Sequence, residues 1–181
     1  GADTITGGSG ADNITGGAGA DDITGGDDND SLTGGSGNDT FNVNIDIDTI
    51  TDLTTGDILI ISTGATANAT GITGFTATSS TVNNSDTNKA NLTAADSGVT
   101  IDLGLVTTGA FTVDGGSGVD TLKGSTGNDF IDGKGDADLI YGGAGNDDLT
   151  GGAGDDTLTG NAGNDIFRAD AGTDTITDLS T

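Results

Sequence analysis

Large apolar residues recur along this chain on a nine-residue step, each flanked by Thr, Asp, Asn or another short polar residue. Ile5, Ile14, Ile23, Leu32, Phe41, Ile50 and Leu59 keep the step in the first third. Val113, Leu122, Ile131, Ile140, Leu149, Leu158, Phe167 and Ile176 keep it in the last. One apolar side chain between polar neighbours is the period-two pattern of a very short strand, with the large residue inward and its neighbours outward. An Asp precedes most of these residues by two positions: Asp3, Asp12, Asp21, Asp30, Asp39, Asp48 and Asp57, then Asp120, Asp129, Asp138, Asp147, Asp156, Asp165 and Asp174.

Between the strands lie glycine-rich turns. The units run GADTIT (1–6), GGSGADNIT (7–15), GGAGADDIT (16–24), GGDDNDSLT (25–33) and GGSGNDTFN (34–42). They resume as GGSGVDTLK (115–123), GSTGNDFID (124–132), GKGDADLIY (133–141), GGAGNDDLT (142–150), GGAGDDTLT (151–159) and GNAGNDIFR (160–168). Glycine at positions two and four allows positive φ and lets carbonyls converge. Two nonapeptides make one coil with a turn on each side, and stacking at about 4.8 Å predicts a parallel β-roll. Hairpin loops also favour Asn, Asp and Gly, but they do not require Asp at one phase of a nine-residue clock.

Composition shows what such a stack lacks. Leu, Ile, Val and Phe number 37 of 181 residues, and all 29 acidic residues are Asp against four bases, for a net charge of −25. That combination borders on disorder, so something besides apolar burial must hold the chain together. Carboxylates stacked at about 4 Å repel by roughly 4 kcal/mol at an effective dielectric near 20. A hard divalent cation between coils converts repulsion into bonds, and a shell of carbonyls and carboxylates suits calcium better than magnesium. The absence of Cys, His and Glu argues against disulfides, soft-metal sites and catalysis within this chain. The acidity argues against nucleic acid, and no apolar run reaches the length for membrane insertion. The chain has no Met and opens inside a repeat, which predicts a segment of a longer polypeptide.

The pattern G-G-x-G-x-D-x-U-x, in register over roughly 1–59 and 102–181, closely resembles the RTX (repeats-in-toxin) calcium-binding family. The resemblance implies that each ion takes the position-two and position-four carbonyls and the Asp of one unit. The position-one and position-three carbonyls and the Asp of the unit two further on complete the shell. In the first block this gives Gly8, Gly10 and Asp12 with Gly25, Asp27 and Asp30, and then Gly17, Gly19 and Asp21 with Gly34, Ser36 and Asp39. The second block begins with Gly116, Gly118 and Asp120 facing Gly133, Gly135 and Asp138, followed by Ser125, Gly127 and Asp129 facing Gly142, Ala144 and Asp147. Lys134, Asp136 and Asp138 face Gly151, Ala153 and Asp156. Gly143, Gly145 and Asp147 face Gly160, Ala162 and Asp165, and Gly152, Gly154 and Asp156 face Ala169, Ala171 and Asp174. Two further sets, Asp3 with Asp21 and Asp30 with Asp48, are incomplete, so about seven and up to nine calcium ions are expected. Lys134, Asp28 and Asp136 stand where the pattern has Gly, and the Lys134 set departs furthest from it.

The expected fold is all-β: two calcium-loaded parallel β-rolls with two nonapeptides per coil. They span 1–59 and 102–181 and are joined by a Thr/Ala/Ser-rich connector or small β element at 60–101. Leu53 and Leu179 are expected to cover the exits of the two rolls, and Val99, Ile101, Leu103 and Leu105 to alternate in a half-buried strand. Asp22, Asp132, Asp148, Asp155 and Asp170 fall outside the ligand phase and read as surface charges. The resemblance implies a secreted, extracellular or cell-surface module with no catalytic or cofactor-binding residues. Its role would be structural, in a surface layer, filament or large scaffold, folding on Ca²⁺ after export by type I secretion and self-associating into a lattice or filament. The alternative is the C-terminal export and folding module of a secreted protease, lipase or cytolysin. Outward Thr6, Thr15, Thr24 and Thr33 raise ice binding or adhesion as a third reading, against the simpler one that Thr is a good exposed strand residue.

Overall fold

A computed structural model of the chain describes residues 1–84 and 90–179. Each nonapeptide offers one large inward residue before glycine turns the chain, so the strands are short and stack in parallel, as nine coils among the described residues. Coils one to three are β1 (Thr4–Ser9) with β2 (Asn13–Ala18), β3 (Asp22–Asp27) with β4 (Ser31–Ser36), and β5 (Thr40–Val43) with β6 (Ile47–Ile50). Coil four has three strands, β7 (Ile58–Ile61), β8 (Thr66–Ile72) and β9 (Phe75–Thr76). So has coil five, with β10 (Val82–Asn83), β11 (Ala90–Ala94) and β12 (Thr100–Asp102). Coils six to nine return to two: β13 (Thr112–Asp114) with β14 (Thr121–Lys123), β15 (Phe130–Asp132) with β16 (Leu139–Ala144), β17 (Asp148–Thr150) with β18 (Thr157–Ala162), and β19 (Ile166–Arg168) with β20 (Thr175–Asp178).

Three sheets result. The first holds β1, β3, β5, β7 and β10, and the third holds β9, β12, β14, β16, β18 and β20. The second, β2, β4, β6, β8, β11, β13, β15, β17 and β19, runs the whole length. The chain is therefore one continuous parallel β-solenoid, in which 60–101 adds coils to the same stack instead of linking two separate rolls. The reason lies in small inward residues on a period of two. Ala65, Ala67 and Ala69, and then Ala90, Leu92 and Ala94, are all buried, and Ala67 pairs with Ala90 and Ala69 with Leu92 across β8 and β11.

Coil length changes where the third side appears. In the outer coils, paired residues stand two nonapeptides apart, as Ile14 and Leu32 do. The separation lengthens by one between Asp48 and Ala67 and reaches 23 between Asn68 and Asn91. Among the strand pairs it is longest between Phe75 and Ile101. It falls to 21 between Val99 and Asp120 and is 18 again between Asp120 and Asp138. The first sheet stops at β10, where the loop before β13 packs on its edge: Asn83 Nδ2 donates to the Ala110 carbonyl at 2.6 Å.

The core follows the same division. In the two-sided coils it is a file of single large residues, such as Ile23 above Ile5 and Ile140 above Leu122. In the centre it widens to Phe75, Phe111, Leu92, Ile72, Ile101, Leu103 and Val106, all buried. Three sequence expectations change here. Leu53 is 1% exposed, but under the following coils instead of at an end, and Leu179 is 73% exposed instead of packed over the exit. Leu105 is also exposed, because a turn in which the Val106 N–H donates to the Leu103 carbonyl (2.8 Å) breaks the alternation and sends Val106 inward. Lys89 and the rest of 85–89 lie outside the described residues.

Truncating one member of the core file removes a full layer of packing. Leu149→Ala should destabilise the protein by about 2–5 kcal/mol in urea unfolding, whereas Leu179→Ala should stay within about 0.5 kcal/mol. Equal effects would contradict this assignment of inside and outside.

Candidate metal centre

Positions six and eight of each unit are two residues apart in an extended segment, so they point to the same side. Burying the apolar residue at position eight therefore carries the Asp at position six inward. Asp21, Asp30, Asp39, Asp120, Asp129, Asp138, Asp147 and Asp156 are all at most 3% exposed. Each inward carboxylate spends one oxygen on the coil before it. Asp30 Oδ1 accepts the Asp12 N–H at 2.8 Å, and Asp39 accepts that of Asp21 at 2.8 Å. The pattern continues from Asp48 to Asp57 with longer spacing at Asp48 (3.0 Å). It resumes at Val99 N–H to Asp120, Phe111 N–H to Asp129, and on to Asp174.

The other oxygen is different. Oδ2 of Asp12, Asp21, Asp30, Asp48, Asp120, Asp138, Asp147 and Asp156 is buried without any hydrogen-bond partner. An unsatisfied buried acceptor costs about 1–3 kcal/mol, and more when charged, so eight in one small protein require a positive partner. These oxygens aim at a common kind of place. A Cβ on Gly115 would sit 2.7 Å from Asp120 Oδ2 and 2.7 Å from the Gly133 carbonyl oxygen. One on Gly16 would lie 2.5 Å from Asp21 Oδ2 and 2.8 Å from the Gly34 oxygen. The same pairs of oxygens crowd Gly7 (Asp12, Gly25), Gly133 (Asp138, Gly151) and Gly142 (Asp147, Gly160). Position-one glycine thus leaves uncrowded the place where the carboxylate of its own unit and a carbonyl of the next coil converge, the hard-oxygen pairing that Ca²⁺ prefers.

The remaining ligand-phase residues frame these spots. Gly8, Gly10, Gly17, Gly19, Gly116, Gly118, Gly143, Gly145, Gly152 and Gly154 have positive φ. Asp28 (76°), Lys134 (76°) and Asp136 (68°) take the same geometry without being glycine, a conformation that disfavours side chains. Lys134 Nζ is held outward by Asp132 at 3.0 Å and Asp114 at 3.2 Å. Position-three residues stand in register one coil apart: Ser9 with Asp27, Ala18 with Ser36, Ala144 with Ala162, and Ser117, Gly135, Ala153 and Ala171 in file. Of the off-phase acids, Asp148 pairs with Arg168, and Asp22 and Asp155 accept hydrogen bonds from the Asn42 side chain and the Thr173 N–H.

Two turns depart from the rest, and the sequence pattern did not single them out. Asp129 Oδ2 already accepts the Ser125 N–H at 2.6 Å and the Ser125 hydroxyl at 3.0 Å. Asp57 Oδ2 accepts the Thr54 N–H at 2.8 Å and its hydroxyl at 3.1 Å. A Ser in place of Gly at position two was the visible signal at Ser125. A cation there would have to displace these donors, so the Ser125–Asp129 set fits an ion less well than the others.

Among the described residues no three acidic, His or Cys side chains meet at one point. The donor sets are carboxylate plus backbone carbonyl, all hard oxygen. The RTX calcium-binding nonapeptide repeat matches residues 1–32, 15–50, 114–149 and 141–176, more than half of the chain. The chain belongs to that family. Searches of curated proteins and of solved structures found no match. RTX calcium-binding repeats are structural, not catalytic, and this member is a calcium-binding repeat module.

Without a cation, several buried carboxyls of the RTX ladders resist ionisation. Burial, opposed by the accepted backbone hydrogen bond and reinforced by stacked neighbours, raises Asp138 to about 7 (Asp120 and Asp156 adding to it) and Asp147 to about 7 (Asp129 and Asp165). Burial likewise raises Asp48 and Asp129 to about 6, and lifts Asp39, Asp120 and Asp156. A carboxyl whose folded value lies above its unfolded 3.8 destabilises the fold fully above about 7, and the penalty fades as pH falls toward 3.8. Metal-free protein should therefore gain β signal in circular dichroism between pH 8 and pH 5. A metal-free signal that falls over that range would contradict the buried, unpaired carboxylates.

Proposed function

We propose that this chain is an extracellular structural module that folds when calcium enters its two aspartate ladders, within a surface layer, filament or large secreted scaffold. The reading is carried by the inward Asp oxygens without partners at Asp12, Asp21, Asp120, Asp138, Asp147 and Asp156. They belong to six of the seven ligand sets implied by the repeat, and all but Asp156 converge with the position-one carbonyl of the next coil. Calcium at these spots completes the carboxylates, ties successive coils together and offsets much of the charge of −25. Calcium loads the ladder-bearing stretches within 1–59 and 102–181 of the one solenoid, and 60–101 supplies the coils between them.

Calcium dependence fits an exported scaffold. Where the ion is scarce, like charge keeps the ladders open and the chain easily moved; where it is abundant, binding free energy becomes folding free energy. The outward faces are uncharged Thr, Ser and Asn over much of their length, as on the second sheet at Thr15, Thr33 and Thr51. Such a stiff, regular rod is suited to packing side by side into a lattice or filament.

Calorimetric titration and circular dichroism test this directly. Calcium should raise the β signal of metal-free protein and EGTA should reverse it; a signal indifferent to both would sink the proposal. Gly115→Ala places a methyl between Asp120 Oδ2 and the Gly133 carbonyl and should abolish that one site. Asp147→Ala removes a ligand from the set shared with Asp165 and should likewise lower the calcium stoichiometry by one, its other set being the one Ser125 already satisfies. Unchanged stoichiometry in both variants would contradict the assigned register.

A further inference from the structure

We propose that coils four and five, residues 58–84 with 90–111, fold without calcium and form the platform from which both ladders grow, one toward each end. The proposal rests on the calcium reading above, and its starting point is one column of the second sheet. Followed coil by coil, the inward position ahead of each strand's core residue reads Asp12, Asp30, Asp48, Ala67, Ala90, Phe111, Asp129, Asp147 and Asp165. The three central members are completely buried and apolar. In the third sheet the column of Asp174, Asp156, Asp138 and Asp120 likewise passes to Val99, which is buried.

The stacked charge that keeps the end coils open is thus absent from these central columns, and the extra apolar surface that a coil needs is present there. Phe75, Leu92, Ile72, Ile101, Leu103 and Phe111 belong to the core of the three-sided section, whereas the outermost two-sided coils have one large inward residue per nonapeptide. Burial of such side chains favours folding by about 1.5–3 kcal/mol each.

The borders of the platform are also built without an ion. Asp57 closes the ladder of the first sheet on its Thr54 amide and hydroxyl, and Asp129 opens the later ladder of the second sheet on those of Ser125. A hydroxyl and an amide do at these turns what a cation does further out. With the platform formed, each outer coil adds to an existing strand edge and captures calcium as it docks, as nearest-neighbour stacking in solenoids allows.

Hydrogen exchange of the whole chain, with calcium and with EGTA, tests this. In EGTA, amides of β7, β8, β11 and β12 should exchange at least roughly tenfold more slowly than those of β1–β4 and β16–β20, and calcium should protect all of them. If EGTA releases the centre as fast as the ends, the platform fails while the calcium reading stands. If the ends stay protected in EGTA, both fail. As a second measurement, Phe75→Ala should raise the calcium concentration at which fluorescence of Tyr141, on the sheet that begins at β9, reports folding. An unchanged midpoint would overturn the platform.

Discussion

The structure depends on an aspartate that cannot face water. Position six and position eight share a side of the strand, so in the Asp-bearing repeat units the apolar residue drawn into the coil takes a carboxylate with it. One oxygen of that carboxylate is satisfied by the backbone of the previous coil; the other, at eight positions, meets no donor. Charge, burial and stacking are then in conflict, and only a cation or a proton resolves them. The raised Asp138 and Asp147 values are the protonic expression of the same conflict that calcium resolves.

The solenoid solves the stacking problem in two ways along one axis. Toward both ends it is thin and ionic, with one large residue per turn and a ladder of carboxylates. In the middle it acquires a third side and an apolar interior. The second sheet passes through all of it in one unbroken strand order, so the two regimes share one hydrogen-bonded lattice. The exchange of the first sheet for the third, with the second kept throughout, is how the chain shifts phase without ending the stack.

Glycine serves two separate purposes in these turns. At positions two and four it supplies positive φ, a need that Asp28, Lys134 and Asp136 also meet. At position one the need is space, because any Cβ would occupy the point where oxygens converge. Lys134 is thus accommodated with its side chain paired outward, whereas a substitution at Gly133 would strike the site itself.

Much of this was legible in the chain alone. The nine-residue clock, the Asp two places before each core residue and the glycines of the turns determined the two-unit coil, the parallel stacking and the acidic columns, because all are properties of short-range spacing. Folding decided what depends on residues far apart in sequence. The coils within 60–101 were hidden because Ala67, Ala69 and Ala90 carry a weak apolar signal and because their spacing drifts well beyond two nonapeptides. The reversal at Val106 and the hydroxyl caps on Asp57 and Asp129 depend on turn geometry that a repeat pattern does not encode. Local periodicity settles which way a side chain points; only the packed stack settles which partner it meets.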